Sequence, residues 1–203
     1  MKFHFARFKP VADYGRDSSG VAAVEFALIV PILLALFLGG IEYSRATMYA
    51  RRFNQVTAMA SDLIARESQL DDAKLLGISQ AIDTAWGNLD NHDSLRLQVK
   101  HVRSAGNLAT KKAPGTTYVE WSYPIRENKK YPDCQDYTVP VANMVQRGNS
   151  VVIVTATYTY RSLFNGQAPG MSTATLDWQS ESSHAPRDLC VAYNKTNCLS
   201  TCE

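Results

Sequence analysis

The first apolar segment of the chain contains a single carboxylate, Glu25, five residues after Gly20. A charged side chain at the centre of a membrane-spanning helix costs about 2.5–3.5 kcal/mol, less near the interface, and such residues are usually paired or functional. The chemistry available to Glu25 is charge pairing, because a neighbouring ammonium group would offset that cost. The alternative is that Glu25 lies at the depth of the lipid headgroups and has no partner.

Four cysteines follow the apolar segment, and none lies within it or before it: Cys134, Cys190, Cys198 and Cys202. In an oxidising compartment they are expected to form disulfides, for which three pairings are possible. A link from Cys134 to the tail would pin a long surface loop predicted over residues 128–140. A second link within residues 190–202 would close a small loop in the tail. Zinc binding is disfavoured, since the spacings include no C-x-x-C pair.

The residues that could support catalysis form no recognisable motif. His92, His101 and His184 lie outside any nucleophile, metal or phosphate signature, and His101 falls on a strand pattern. The carboxylate pair Asp71-Asp72 stands at a predicted helix start, where it complements the helix dipole. We therefore expect no catalytic residue, no cofactor and no metal site.

The segment from Val21 to Ile41 must position Glu25, and it is about as long as a helix needs to cross a hydrocarbon core roughly 30 Å thick. Basic residues outnumber acidic ones before it, which predicts a cytoplasmic N-terminus and an exported remainder. A cleaved secretory signal peptide is the alternative. Its apolar core is typically about 7–15 residues and ends in an A-x-A-like site, whereas this segment is longer and has no such site.

The residues around Gly20 resemble a known family. Gly20, the following Val21-Ala22-Ala23-Val24-Glu25-Phe26, and then Ala27-Leu28, Pro31 and a leucine-rich stretch are similar to the N-terminal segment of the TadE-like family. These proteins are minor pseudopilins of the tight adherence (Tad, or Flp) pilus, a branch of the type IV pilus machinery. The resemblance covers about Ser18 to Ala60.

The resemblance implies processing and assembly. A prepilin peptidase would cut after Gly20, Val21 would become the new N-terminus, and Glu25 and Phe26 would stand at mature positions five and six. The α-amine of Val21, on the same chain or on a neighbouring subunit, would then pair with Glu25. The implied partners are the prepilin peptidase, other minor pseudopilins, the major Flp-type pilin, the pilus platform proteins and the inner membrane, and the implied role is in adherence and biofilm formation.

Small residues recur at every fourth position of the apolar segment, which lets neighbouring spanning helices approach closely. With Pro31 between them, these are Ala23, Ala27, Ala35 and Gly39. Helical periodicity continues beyond the membrane, so one helix is predicted from Val21 to about Ser68, its second half packed on a soluble domain. A membrane anchor that continues into any helical domain would show the same pattern.

The rest of the chain predicts an α+β fold. A second helix is expected from Asp71 to about Trp86, stopped by Gly87-Asn88, and a period of two then predicts four antiparallel strands. Their positions are residues 95–101, 119–123, 151–160 and 171–178, and the third, rich in β-branched residues, is the expected central strand. The tail from Ser182 is predicted to be loop-rich, and the doublets Lys111-Lys112 and Lys129-Lys130 to be solvated.

The sequence thus predicts a leader over residues 1–20, a membrane helix over 21–41 and an exported pilin-like α+β domain over 42–203. The net charge of +2 falls to about zero without the leader, so no electrostatic footprint for nucleic acid remains. Two other functions stay open: an uncleaved, membrane-anchored binding or scaffold protein of the same apparatus, and an anchored enzyme of the envelope. Substitution-sensitive polar residues around His92 or His184 would favour the enzyme.

Overall fold

A computed structural model describes residues 20–87, 94–106, 111–126, 130–139, 145–163, 175–194 and 202. The chain divides into two compact units, residues 1–45 and residues 46–203. The elements in chain order are α1 (Val21–Ala65), β1 (Gln69–Leu70), α2 (Asp72–Trp86), β2 (Leu95–Ser104), β3 (Thr117–Ile125), β4 (Ser150–Arg161), β5 (Thr175–His184) and β6 (Ala192–Tyr193).

Helix α1 is the long N-terminal helix that the sequence predicts, and it ends three residues earlier than expected. At this end the backbone N–H of Arg187 in the tail donates to the carbonyl of Ala65, the last helical residue, at 3.1 Å. That bond satisfies one of the carbonyls that a helix end leaves without an intrahelical partner. The second helix is also confirmed: Asp71 caps α2 by accepting from the Lys74 N–H at 2.7 Å, and Gly87, with a positive φ of 71°, ends it.

Four strands form one antiparallel sheet in the order β3-β2-β4-β5, which confirms the predicted α+β class and the four-stranded sheet. Strand β4 is an interior strand, as its β-branched composition predicts. Strand β5 differs from its prediction. Residues 171–174 lie outside the described residues, and the strand continues to His184, through a serine-rich stretch that shows no apolar alternation.

One face of the sheet packs against the second half of α1 and against α2 within the second unit. Alternate residues of β2 and β4 supply this face, and aromatic side chains fill its centre. Trp86 of α2 meets Tyr158 of β4 edge-on at 4.9 Å between ring centroids, and Tyr49 of α1 contacts both rings. Edge-to-face pairs of this kind add to the hydrophobic gain of burial. The aromatic residues of the sheet therefore join both helices to β4.

Residues 130–139 are more than the surface loop that the sequence predicts. Tyr131, Tyr137 and Val139 pack on a second apolar cluster, on residues such as Val102 and Ile153. The ammonium group of Lys100 lies 5.4 Å from the Tyr131 ring centroid and 5.0 Å from that of Tyr137. Cation–π attraction of this kind adds to the packing of the loop on the sheet. Burial, and then the charge of Glu181, raises the pKa of Tyr137.

The prediction of two solvated lysine doublets is wrong for Lys112. Its ammonium group donates to the Cys134 carbonyl at 2.9 Å, forms an ion pair with Asp136, and lies 5.7 Å from the ring centroid of Tyr118. The spacing of the doublet gave no sign of this role, because Asp136 is 24 residues away in the chain. Lys129 lies outside the described residues.

The prediction that the tail from Ser182 is loop-rich is wrong for two segments. Residues 182–184 complete β5, and β6 pairs with β1 in a small parallel sheet. The hydroxyl of Tyr193 in β6 donates to the Asp72 carboxylate at 2.6 Å, which ties the tail to the first turn of α2. Burial, together with this hydrogen bond, raises the pKa of Tyr193 from 10 to about 12.

The loss of folding stability as the pH rises above 10 should therefore depend on Tyr193. Because its folded pKa is raised, its contribution is fully present below the unfolded value of 10 and is lost as the pH rises through about 12. We expect Tyr193→Phe to lower the free energy of unfolding by about 1 kcal/mol at pH 8 and to match the wild type near pH 12. Urea unfolding from pH 8 to 12 measures this, with the highly exposed Tyr43→Phe as control. A constant difference over that range would contradict the role assigned to Tyr193.

Candidate functional site

The start of α1 coincides with the peptide bond singled out by the sequence. Val21 is the first α-helical residue, and Gly20 immediately precedes it. A Cβ built on Gly20 would meet no heavy atom within 4 Å. The described residues therefore place no steric requirement for glycine at position 20.

Glu25 lies one helical turn after Val21, about 6 Å further along the helix axis. Its side chain is exposed in the isolated chain, as are those of its neighbours Val24 and Phe26. In the described part of the first unit, residues 20–45, the first cationic side chain is that of Arg45. No lysine or arginine therefore lies within a few helical turns of Glu25 on the same stretch of α1. An α-amine at Val21 would stand within reach of the carboxylate, on the same chain or on a neighbour.

The small residues of α1 lie along the same uncovered helix. Ala23, Ala27, Ala35 and Gly39 are all exposed, and a Cβ added to Gly39 would meet no heavy atom within 4 Å. Pro31 lies inside the helix and removes the hydrogen bond that its N–H would have made to Ala27. The rest of the described chain thus leaves the stripe open to another helix.

One described helix, α1, is long and apolar enough to cross a membrane. Its most apolar 18 residues are not buried by the rest of the chain. The core helix of a soluble protein would be mostly buried, so this exposure is compatible with a single-pass anchor. Large apolar side chains that water would penalise, such as Phe37 at 65 % exposure, would then face lipid.

A disulfide joins Cys134 to Cys202, so the loop is linked to the tail across 68 residues of sequence. This is one of the links that the sequence left open. Cys190 is also disulfide-bonded, and Cys198 lies outside the described residues. The backbone around Cys134 explains its position: its N–H donates to the Val119 carbonyl of β3 at 2.7 Å, and the Val119 N–H donates to Gln135 at 2.9 Å.

His101 is a buried sheet residue, as its strand pattern predicts, and its ring stacks on Trp121 at 5.4 Å. Its Nε2 accepts from the Val191 N–H, while the Trp121 indole N–H donates to the Val191 carbonyl at 2.8 Å. His101 and Trp121 therefore hydrogen-bond both backbone polar groups of Val191, its N–H and its carbonyl. The Nδ1 atom of His101 lies 3.1 Å from Glu120 Oε2.

His184 is part of a small polar cluster that the sequence did not reveal. Its Nδ1 lies 2.7 Å from the Ser61 hydroxyl, which also contacts Ser182 at 2.9 Å. Ser61 is buried on α1, so the cluster is a polar link between α1 and β5. Ser182 and His184 lie 121 and 123 residues after Ser61 in the sequence, and only the fold brings the three side chains together. His92 lies outside the described residues.

No group of three or more potential metal ligands occurs among the residues that the structure describes.

An α+β protein with an uncovered apolar N-terminal helix, compatible with a single-pass membrane anchor, is the class that these features define. Residues 20–62 match the family model described as TadE-like protein, which confirms the resemblance. The match includes Gly20, Glu25 and the small-residue stripe, and it suggests a protein associated with the Tad pilus. Members of the TadE-like family are pilus components, and the family is not an enzyme family. No curated protein and no solved structure matches the chain.

Proposed function

We propose that this protein is a minor pseudopilin that takes part in assembly of a Tad pilus after a prepilin peptidase cuts between Gly20 and Val21. The observation that carries the proposal is the coincidence of three features at one point: the start of α1, the glycine for which the described residues place no steric requirement, and the start of the TadE-like match. Cleavage there would release a chain that begins with its membrane helix.

The membrane helix would then serve assembly through its uncovered side chains. A new α-amine at Val21 would offset the charge of Glu25 or of the same residue on a neighbouring subunit, which fixes how far one helix slides along the next. The stripe of Ala23, Ala27, Ala35 and Gly39 would let the helices approach closely. Both features are exposed in the isolated chain, as an assembly surface must be.

The proposed placement follows from charge and from disulfides. Basic residues before Val21 favour a cytoplasmic N-terminus, and the Cys134–Cys202 disulfide suits an oxidising periplasm on the opposite side of the inner membrane. The partners would be the prepilin peptidase, other minor pseudopilins, the major Flp-type pilin and the platform proteins. The role in adherence and biofilm formation would follow from the pilus.

The N-terminal residue of the protein in its native membrane tests the proposal. We expect intact mass and N-terminal sequencing to give a chain that starts at Val21, and we expect Gly20→Ala to retain residues 1–20. Because an added Cβ meets nothing at position 20, uncut Gly20→Ala protein would reflect recognition by the peptidase and not misfolding.

Gly39→Ala is the matched control, since it adds the same methyl group to the same helix at another open position. It should be processed like the wild type. A wild-type protein that starts at Met1 would refute cleavage and leave an uncleaved anchored scaffold protein as the better function. Equal processing of Gly20→Ala and the wild type would show that Gly20 is not the recognised residue.

A further inference from the structure

The two edge strands of the four-stranded sheet differ in how they are protected. Strand β3 contains a bulge near Glu120 and a proline, Pro124, and residues 134–137 pair with its outer edge. The N–H of Tyr137, for example, donates to the Thr117 carbonyl at 2.9 Å. Bulges, prolines and covering loops are the means by which proteins keep an edge from pairing with another chain.

Within the described ranges, strand β5 shows no bulge, no proline and no covering loop. It is ten residues long, it contains no proline and no lysine, and its register with β4 is regular from Thr175 to His184. No residue of β5 is buried. Among the described residues, no backbone group outside β4 bonds to the backbone of β5. The described part of the chain therefore leaves a row of backbone donors and acceptors uncovered along the outer edge of β5.

The side chains of β5 form two rows of different chemistry. The inner row turns toward α1: Trp178 stacks on Tyr160 at 5.0 Å, and Leu176 beside it remains 56 % exposed. The outer row carries Asp177 and Glu181, whose carboxylates accept from Thr159 at 2.7 Å and Thr155 at 3.3 Å. No lysine or arginine among the described residues forms an ion pair with either carboxylate.

We propose that β5 is a docking edge for an extended segment of a partner protein, which adds a fifth, antiparallel strand to the sheet. The partner segment carries two basic residues four positions apart, opposite Glu181 and Asp177, and an apolar residue opposite Leu176. Strand addition of this kind takes its affinity from main-chain hydrogen bonds and its specificity from alternate side chains. The inference goes beyond the proposed assembly of the membrane helix and does not depend on cleavage.

A second copy of this chain is disfavoured on the same edge in one register. Two β5 strands that pair antiparallel about Gln179, with matching faces, place Asp177 of one copy opposite Glu181 of the other. Like charges directly opposite each other destabilise a strand pair. In that register the carboxylates disfavour self-association, whereas a basic partner gains opposite charges at the same two positions.

The probe is a labelled ten-residue peptide of threonine and valine with lysine at positions 4 and 8 and leucine at position 9. It is titrated against the full chain in an uncharged detergent, with fluorescence anisotropy as the readout. We expect binding, together with slowed hydrogen exchange of amides within residues 175–184. The same peptide with alternate N-methylated amides should not bind, because it cannot form the strand ladder.

Charge reversal tests which residues select the partner. Asp177→Lys/Glu181→Lys should weaken binding of the lysine peptide about tenfold and strengthen binding of a matching glutamate peptide about tenfold, which also shows that the variant is folded. Asp133→Lys/Asp188→Lys is the control, with the same charge change at exposed sites outside the sheet, and it should bind like the wild type.

Three results would overturn the proposal. The first is binding without protection of residues 175–184, and the second is an equal loss of affinity in the control variant. The third is the absence of binding by the wild type at millimolar peptide. Because none of these readouts involves Gly20 or pilus formation, failure here is distinguishable from failure of the proposed function.

Discussion

Replacing Glu25 by glutamine should leave the protein in the membrane and cleaved after Gly20, but should remove it from the assembled pilus. The neutral amide is easier to place in lipid than a carboxylate, so insertion is not impaired. The proposed ion pair with the α-amine of Val21 is lost, however, and the amine is left in the membrane without a counter-charge. Breaking a buried ion pair by removing one partner costs about 3–5 kcal/mol.

A cost of that size corresponds to a more than hundredfold change in an association constant. We therefore expect the amount of this protein that co-purifies with pili, and the number of surface pili, to fall by about a hundredfold in Glu25→Gln. Glu67→Gln is the control, because Glu67 lies outside the membrane helix in an exposed pair with Lys74. Normal piliation in Glu25→Gln would show that Glu25 lies at headgroup depth and does not direct assembly.

The sequence predicted the elements of this fold wherever a local pattern was strong. The apolar run after Val21, the carboxylate pair Asp71-Asp72 at the start of α2 and the β-branched stretch of β4 each specify their structure from neighbours within a few residues. The TadE-like segment was recognisable for the same reason, since Gly20 and Glu25 stand at a fixed spacing at the edge of an apolar run.

Long-range contacts decided the features that the sequence did not reveal. Strand β6 has two residues and no alternation to detect, and it exists because the N–H of Ala192 donates to the Ser68 carbonyl on a distant turn. The serine-rich end of β5 is held by its register with β4 and by Ser61 on α1. The role of Lys112 depends on Asp136, which only the folded loop brings close.

Removing the disulfide between Cys134 and Cys202 should destabilise the second unit more than any surface substitution. In the chain-entropy description, a link across 68 residues is worth about 4 kcal/mol, a large part of the roughly 5–15 kcal/mol that stabilises a typical domain. We expect Cys134→Ser/Cys202→Ser to lower the free energy of unfolding by about that amount. Urea unfolding of the full chain, followed by tryptophan fluorescence, measures it.

The region whose hydrogen exchange accelerates shows whether this disulfide stabilises one part of the second unit or the whole of it. Because Cys134 holds residues 134–137 on the outer edge of β3, hydrogen exchange should accelerate most for Val119 and Tyr137. The interior strand β4 should remain protected until the unit unfolds globally. If both regions exchange faster to the same extent, or if stability falls by less than about 1 kcal/mol, the loop keeps its place without the bond. The aromatic contacts of Lys100 with Tyr131 and Tyr137 would then be what holds residues 130–139 on the sheet.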